Sequence, residues 1–334
     1  MAWSVAGLED IPSTGILTDE VSWLKACADV EEGRCLVLRH GDVFLPLCTR
    51  KKCGLVVLEG LGQDLRSVCG HIGGNGSGLP NIDPEHLPER ADVVDLRRLP
   101  ERCLPSLFPE CGMRVMHDDA VWYAREMGIS TDEFLKSLAT NTRKELKYSK
   151  NRVEKTFGTS NVRYRPVRLD LDTLENSWVE AASITPHTWQ GKNGVSVLLD
   201  AGKKQFVKNL VHYGMPVYFH FFHLGDDLAS VAISMEQNGQ FLIYAHEYNI
   251  NFAKYRPGSL INMNMIENAM DNGAHVLDFG IGDTPNKRMM RCASSHLWRL
   301  LVPLTWKGWL AVTYQRVRWQ AGRLKKNTEC GKKK

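Results

Sequence analysis

The stretch "PVYFHFFHLGDDLASVAISMEQNGQFLIYAHEYN" leaves this chain few folds to choose from. Its aromatic and β-branched runs are broken at Gly225-Asp226 and at Asn238-Gly239. Asn-Gly between two such runs is a strong short-range hairpin signal, because both residues tolerate the positive φ of a tight turn. Three consecutive antiparallel strands are the expectation. The next segment, "KYRPGSLINMNMIENAMDNG" (Lys254 to Gly273), has helical spacing. Ile261, Met265, Ile266, Ala269 and Met270 form its buried stripe, with Asn262, Asn264, Glu267 and Asn268 elsewhere and Asn272-Gly273 as a stop signal. "AHVLDFGIGD" then reads as a short buried strand ending in glycines. A strand reached through a helix pairs in parallel, so the class is α/β (α+β), a mixed, mostly antiparallel sheet flanked by helices.

The first half shows an echo of this order. "RCLVLRHGDVFLPLCTRKKCGLVVLEG" also runs strand, Gly-Asp turn, strand, turn, strand. Two copies of one α/β unit are therefore favoured over two unrelated domains, and 334 residues suffice for two. "ADVVDLRRL" and "GMRVMHD" read as further strands. Between the strands lies a Gly- and Pro-rich loop, Gly70 to Glu89, with three glycines near Gly73 but no following Lys-Ser/Thr. "STDEFLKSL" begins with a plausible cap at Ser130 or Thr131, and "TNTRKELKYSKNRVEKTFG" is a strongly basic helix. "VRYRPVRL" is a strand, and "LDTLENSWVEAASI" and "GKKQFVKNLVHYG" are helices. The resulting division is a first domain over 1–129, a basic helical linker over 130–160, a second domain over 161–305 and a basic helix and tail over 306–334.

Composition excludes several classes. The hydrophobic share is 43% and the charged share 24%, ordinary for a globular chain. Nine cysteines occur with no CxxC pair and no matching His pair, which points to reduced thiols rather than zinc. No run resembles a signal peptide or the ~20 apolar residues of a membrane span, so a cytoplasmic, at most peripheral, protein is expected. The net charge is +4, yet nine Lys or Arg against Glu329 fall between Lys307 and the end. A tail of that kind suits phosphate or anionic lipid, or is a solvated helix.

The mouth of the Lys254–Gly273 segment carries the first chemical hint. Pro257 fixes φ, Gly258 lets another group approach the backbone, and the N–H groups at a helix start are unpaired. Such a mouth favours an anion, and Lys254 and Arg256 add positive charge. A plain helix start with no ligand is the alternative.

"YRPGSLINMNMIENAMDNGAHVLDFGIGDTPNK" resembles the C-terminal signature of CelD/BioF-type acyltransferases. These belong to the Gcn5-related N-acetyltransferase (GNAT) superfamily and stand close to the FemABX aminoacyl transferases. The residues that carry the resemblance are Tyr255, Pro257, Gly258, Asp278, Phe279, Gly280, Gly282, Asp283 and Lys287. "ITPHTWQGKNG", with Trp189 and Gly191, adds to it, and the likeness runs from about Thr140 to Arg291.

The resemblance implies tandem GNAT-like domains and transfer of an acyl group to the amine of a small acceptor, without a metal or covalent enzyme intermediate. Acyl-CoA is the implied donor, held by the strand bearing Tyr244 and by the mouth at Arg256, Pro257, Gly258 and Ser259. The mouth is shorter than in acetyl-CoA enzymes, so aminoacyl-tRNA stays an alternative donor, with the basic helices as its contacts. Removing the amine's proton and holding the oxyanion need positioned groups. The residues in question are His246, Glu247, Asp278 and Lys287. His246 and Glu247 alternate on one strand, so one of them faces away. Trp189, Tyr248 and Asp283 are implied on the acceptor side. An inactive module of the same fold, binding nucleic acid or an anionic membrane, is the reading from another class.

Overall fold

The computed structural model describes residues 4–13, 17–65, 72–73, 87, 90–104, 114–128, 130–315 and 317–318. Most of the Gly-rich loop and most of the basic tail lie outside the described residues. The strands, in chain order, are β1 (Ser4–Ala6), β2 (Arg34–His40), β3 (Val43–Lys52), β4 (Leu55–Gly60), β5 (Val93–Leu99), β6 (Arg114–Glu126), β7 (Val162–Arg168), β8 (Val217–Leu224), β9 (Asp227–Gln237), β10 (Gln240–Tyr248), β11 (Val276–Ile281) and β12 (Ala293–Pro303). The helices are α1 (Val21–Val30), α2 (Thr131–Ser137), α3 (Thr140–Phe157), α4 (Leu174–Ala182), α5 (Trp189–Lys192), α6 (Ala201–His212), α7 (Pro257–Asp271), α8 (Pro285–Met289) and α9 (306–315).

The chain forms two compact units. The first comprises Met1–Pro12, Glu31–Ala120 and His296–Lys334; the second comprises Ser13–Val30 and Val121–Ser295. In the first, the strand order is β1-β2-β3-β4-β5-β12. β1 to β4 pair antiparallel in sequence, β4 pairs parallel with β5, and β12 closes antiparallel on β5. The second unit has the order β7-β8-β9-β10-β11-β6. β7 to β10 pair antiparallel, β10 pairs parallel with β11, and β6 lies antiparallel on β11. The two units therefore share one strand plan. The echo between the two three-strand runs is β2-β3-β4 against β8-β9-β10.

Local signals explain most elements. Asn238 and Gly239 take φ of 52° and 74° at the β9–β10 turn, the geometry that Asn-Gly tolerates. Ser130 caps α2 by accepting a hydrogen bond from the Glu133 backbone N–H at 3.3 Å. β7 contains Pro166 and pairs only with β8, and an edge is where a strand tolerates a residue without an N–H. α3 is basic over most of its surface, but Leu146, Ser149 and Val153 follow the 3–4 spacing and are buried in the second unit. α7 buries Leu260, Ile261, Met265, Ile266 and Ala269 in the same core. Asn262, expected off the buried stripe, is also buried, with only 1% of its surface exposed. Sequence periodicity finds one stripe, whereas this helix is covered on a second side.

Two elements were not legible as such. α1 packs its Trp23 edge-on against Phe206 of α6 at 5.3 Å. β6 runs on through "VWYARE" to Glu126, well past the strand expected over "GMRVMHD". The described cysteines are free thiols. No helix among the described residues is long and apolar enough to cross a membrane.

Candidate functional site

β10 keeps its antiparallel partner β9 along its length, with a register break between Ile243 and Ala245. On its other side it pairs with β11 only at Gln240–Val276, Phe241–Leu277 and Leu242–Asp278. Beyond Leu242 the two parallel strands part, and a cavity of about 820 Å³ opens between them. β10 contributes Tyr244, His246 and Tyr248, and α7 contributes Arg256, Pro257, Gly258, Ser259 and Asn262. Phe279 and Ile281 of β11 and Asn286 and Lys287 of α8 add to the wall.

The helix mouth is less open than its sequence suggests. Arg256 sits in the left-handed region (φ 53°, ψ 50°), which turns its carbonyl onto the helix start. That carbonyl accepts from the Ser259 and Leu260 N–H groups at 3.0 and 3.2 Å. Pro257 has no N–H, so only Gly258 keeps a donor without a partner among the described residues. The Arg256 guanidinium donates to Glu145 at 2.5 Å. Gly258 answers a steric demand from inside the protein: a Cβ there would stand 2.8 Å from His246 Cε1. Glycine lets the imidazole slide under the mouth.

His246 has a defined protonation state. Ser230 spends its only hydroxyl proton on the Glu247 carbonyl, at 2.8 Å. Its oxygen, 3.1 Å from His246 Nε2, therefore accepts from that nitrogen. Nδ1 is left as the lone-pair nitrogen, and burial pushes the imidazole pKa down to about 4. The ring is neutral at physiological pH.

Lys287 is almost buried, and Nζ donates to the Ile281 and Gly280 carbonyls at 2.6 and 3.2 Å. An ammonium has three N–H bonds, so one has no hydrogen-bond acceptor among the described residues, with the Tyr123 ring centroid 5.6 Å from Nζ. Burial lowers its pKa to about 8, while Asp278 pulls it back upward. Asp278 stands outside the cavity lining. Its Oδ1 accepts from the Gly280 N–H at 2.6 Å and Trp122 Nε1 at 2.8 Å, and burial raises its pKa to about 6.

The remaining sequence-derived residues scatter. Glu247 points to the opposite face of β10, 3% exposed, accepting from Ser196 at 2.6 Å and Thr188 at 2.9 Å. Asp283 accepts from the Tyr123 hydroxyl and Arg288, each at 2.7 Å. Trp189 is 61% exposed and outside the cavity, whereas its neighbour Gln190 lines it and donates to the His246 carbonyl at 3.0 Å. Sequence reasoning missed Gln190, Ser230, Asn262 and Asn286. The Oδ1 atoms of Asn262 and Asn286 are buried in the cavity wall without a hydrogen-bond partner among the described residues. A run of five asparagines from Asn262 to Asn286 was the available signal, but nothing in it separates these two from the others.

Residues 140–288 match the family model of the acetyltransferase (GNAT) domain. A comparison with curated proteins returned no match. Among solved structures, FemX is similar at 11% identity, with 90% of this chain and 97% of that one covered and a TM-score of 0.58. L-PGS from Bacillus licheniformis is similar at 12% identity, covering 84% and 91%, with a TM-score of 0.52. A conserved protein of unknown function from Bacteroides thetaiotaomicron VPI-5482 gives 11% identity, 84% and 89% coverage, and 0.55. At such identities these likenesses establish the fold alone.

Proposed function

We propose, from the premise that residues 140–288 are an acetyltransferase domain of the GNAT type, that this acyltransferase moves an acyl group from a carrier to an amine in the β10–β11 cavity. The observation that carries the reading is the parting of two parallel strands beyond Leu242 and Asp278, with Lys287 on the wall. An amide-bearing arm laid in that gap finds the free edge of β10, as an added strand would.

The reaction needs no covalent enzyme intermediate. The amine lone pair attacks the acyl carbonyl carbon, the C–N bond forms, and the carrier's C–S or C–O bond breaks. The third N–H of Lys287, on the cavity wall, is the donor we assign to the developing oxyanion. His246 is too weak a base at about 4 to hold a proton from an alkyl ammonium near ~10. Its part is to orient a neutral amine through Nδ1 while the proton leaves to solvent or to the departing group. Asn262 and Asn286 offer acceptors to the same N–H groups. Glu247, engaged by two hydroxyls on the far face, supports the strand.

Acyl-CoA is the first donor to test. A second reading, an aminoacyl ester such as aminoacyl-tRNA, is favoured by one feature. A mouth with a single free N–H, and an arginine tied to Glu145, offers little to a pyrophosphate. Thiol release from acetyl-CoA and longer acyl-CoAs, in the presence of an amine panel, tests the first. Amide formation from aminoacyl-tRNA with no thiol-dependent turnover would replace it with the second. Failure of both, with neither carrier raising the melting temperature, would sink the acyl-transfer reading.

A further inference from the structure

Helix α9, in the first unit, is apolar on two opposite sides. One side is docked. Gly308 lies so close to the body that a Cβ would stand 1.9 Å from the Asp92 carbonyl, and Val312, one turn on, is 3% exposed. Asp92 fixes the helix start by accepting from Thr305 Oγ1 at 2.6 Å, and Thr305 Oγ1 accepts from the Gly308 N–H at 3.2 Å. The other side faces outward. Trp306, Trp309, Leu310 and Tyr314 are 71%, 52%, 53% and 64% exposed, and Val317 beyond them is 59% exposed. At 100° per residue these five positions occupy an arc of about 140°.

Scattered apolar residues on a surface need no explanation, but an aromatic and aliphatic arc broken only by Thr313, on a helix docked by its other side, does. Its border identifies what covers it. Lys307 and Arg318 fall along one edge of the arc, and Lys307 Nζ lies 6.0 Å from the Trp306 ring. No acidic residue occurs from Trp306 to Thr328, and the sequence continues with Arg323, Lys325, Lys326 and a terminal Lys332-Lys333-Lys334. Tryptophan and tyrosine with flanking cations suit the boundary between lipid headgroups and acyl chains, where the ring is half in each medium and the cations meet phosphate. A second copy seated on this face by a two-fold axis would bring the same cationic border against itself.

We infer that α9 is an interfacial anchor that seats the protein on an anionic lipid surface, with Trp306, Trp309, Leu310 and Tyr314 entering the headgroup layer. The anchoring is separate from acyl transfer and has its own readout.

Sedimentation of the full chain with vesicles tests it. Binding to phosphatidylcholine vesicles containing phosphatidylglycerol, weak binding to phosphatidylcholine alone, and loss of binding as salt rises are expected. The double change Trp306→Ser with Trp309→Ser should weaken binding about tenfold or more, and Lys325→Gln with Lys326→Gln a few-fold. Both tryptophans are exposed, so the melting temperature should hold; Tyr314→Ser alone gives the same comparison if it does not. Absence of vesicle binding overturns the inference, as does binding that ignores these changes. A concentration-dependent dimer that the tryptophan changes abolish, without vesicle binding, assigns the face to self-association instead. RNA binding in place of vesicle binding likewise overturns it.

Discussion

The two units place the same strands in the same order and use the parting of their parallel pair for different ends. In the first unit the last shared pair is Glu59–Asp95, and both carboxylates are held by the protein's own cations. Lys52 and Arg50 lie 2.6 and 3.5 Å from Glu59, and Arg299 grips Asp95 through Nε and Nη2 at 2.7 and 2.6 Å. In the second unit the last shared pair is Leu242–Asp278, and beyond it Gly258 N–H, two asparagine oxygens, His246 Nδ1 and one Lys287 N–H have no hydrogen-bond partner among the described residues. The strand plan is thus indifferent to function. What separates a structural junction from a site is whether its hydrogen-bonding groups already have partners.

The largest expected effect falls on the second unit. Lys287→Met removes the donor assigned to the oxyanion, and kcat should fall about 10²–10³-fold, as loss of one such donor does elsewhere. Lys52→Met, at the other junction, should leave kcat in place. Equal losses from the two changes would dissolve the contrast. Steady-state thiol release decides.

Next in size is the reverse case. Asp95→Ala takes from Arg299, whose side chain is only 20% exposed, its bidentate carboxylate. Breaking a largely buried pair from one side costs about 3 kcal/mol, read as a lower denaturation midpoint with kcat/KM unchanged. A stability change under 1 kcal/mol would mean that the first junction is as loosely held as a surface pair.

Glu247→Gln sharpens the division between the two faces of β10. The amide keeps one acceptor oxygen and its nitrogen accepts from neither hydroxyl, so either Ser196 loses its acceptor or Thr188 falls back on the Thr185 carbonyl, and stability drops by about 1–2 kcal/mol. Turnover should stay within a few-fold. A hundredfold loss of kcat at full stability would return Glu247 to the chemistry.

Much of this was legible in the sequence. Asn238-Gly239 set the β9–β10 hairpin, and the helix between β10 and β11 set their parallel pairing, so the order β8-β9-β10-β11 followed from local signals, whereas the place of β6 beside β11 did not. The site was half legible. Strand alternation said that His246 and Glu247 face opposite ways, but choosing between them needed the position of Gly258, where a Cβ would stand against the imidazole. Asn262 looked like surface because periodicity finds one buried stripe, and α7 has a second covered side. Trp189 drew attention by its type, while Gln190, which has no such mark, reaches the cavity. The charge on α3 hid the stripe of Leu146, Ser149 and Val153. Each miss arose where a side chain's partner lies far off in sequence, which no local pattern records.

The smallest predicted effect asks whether Asp278 and Lys287 act together. Deprotonated, Lys287 keeps only two N–H bonds, both held by the Ile281 and Gly280 carbonyls, so acyl transfer should decline as pH rises through about 8. Asp278, behind the cavity wall, is the largest of the charges that oppose burial and hold that value up. In Asp278→Asn the side-chain oxygen still accepts from Gly280 and Trp122, so geometry and stability should largely persist. The negative charge is gone, however, and burial then acts on Lys287 with less opposition. The alkaline limb of kcat should move to lower pH, with the plateau rate near neutrality little changed. A purely structural aspartate would instead lower the plateau or the melting temperature and leave the limb in place. A limb unmoved in the asparagine variant, yet abolished in Lys287→Arg, would assign the titration to Lys287 and remove Asp278 from it. The first unit has no counterpart to this behaviour, since Asp95 answers to an arginine that stays charged throughout.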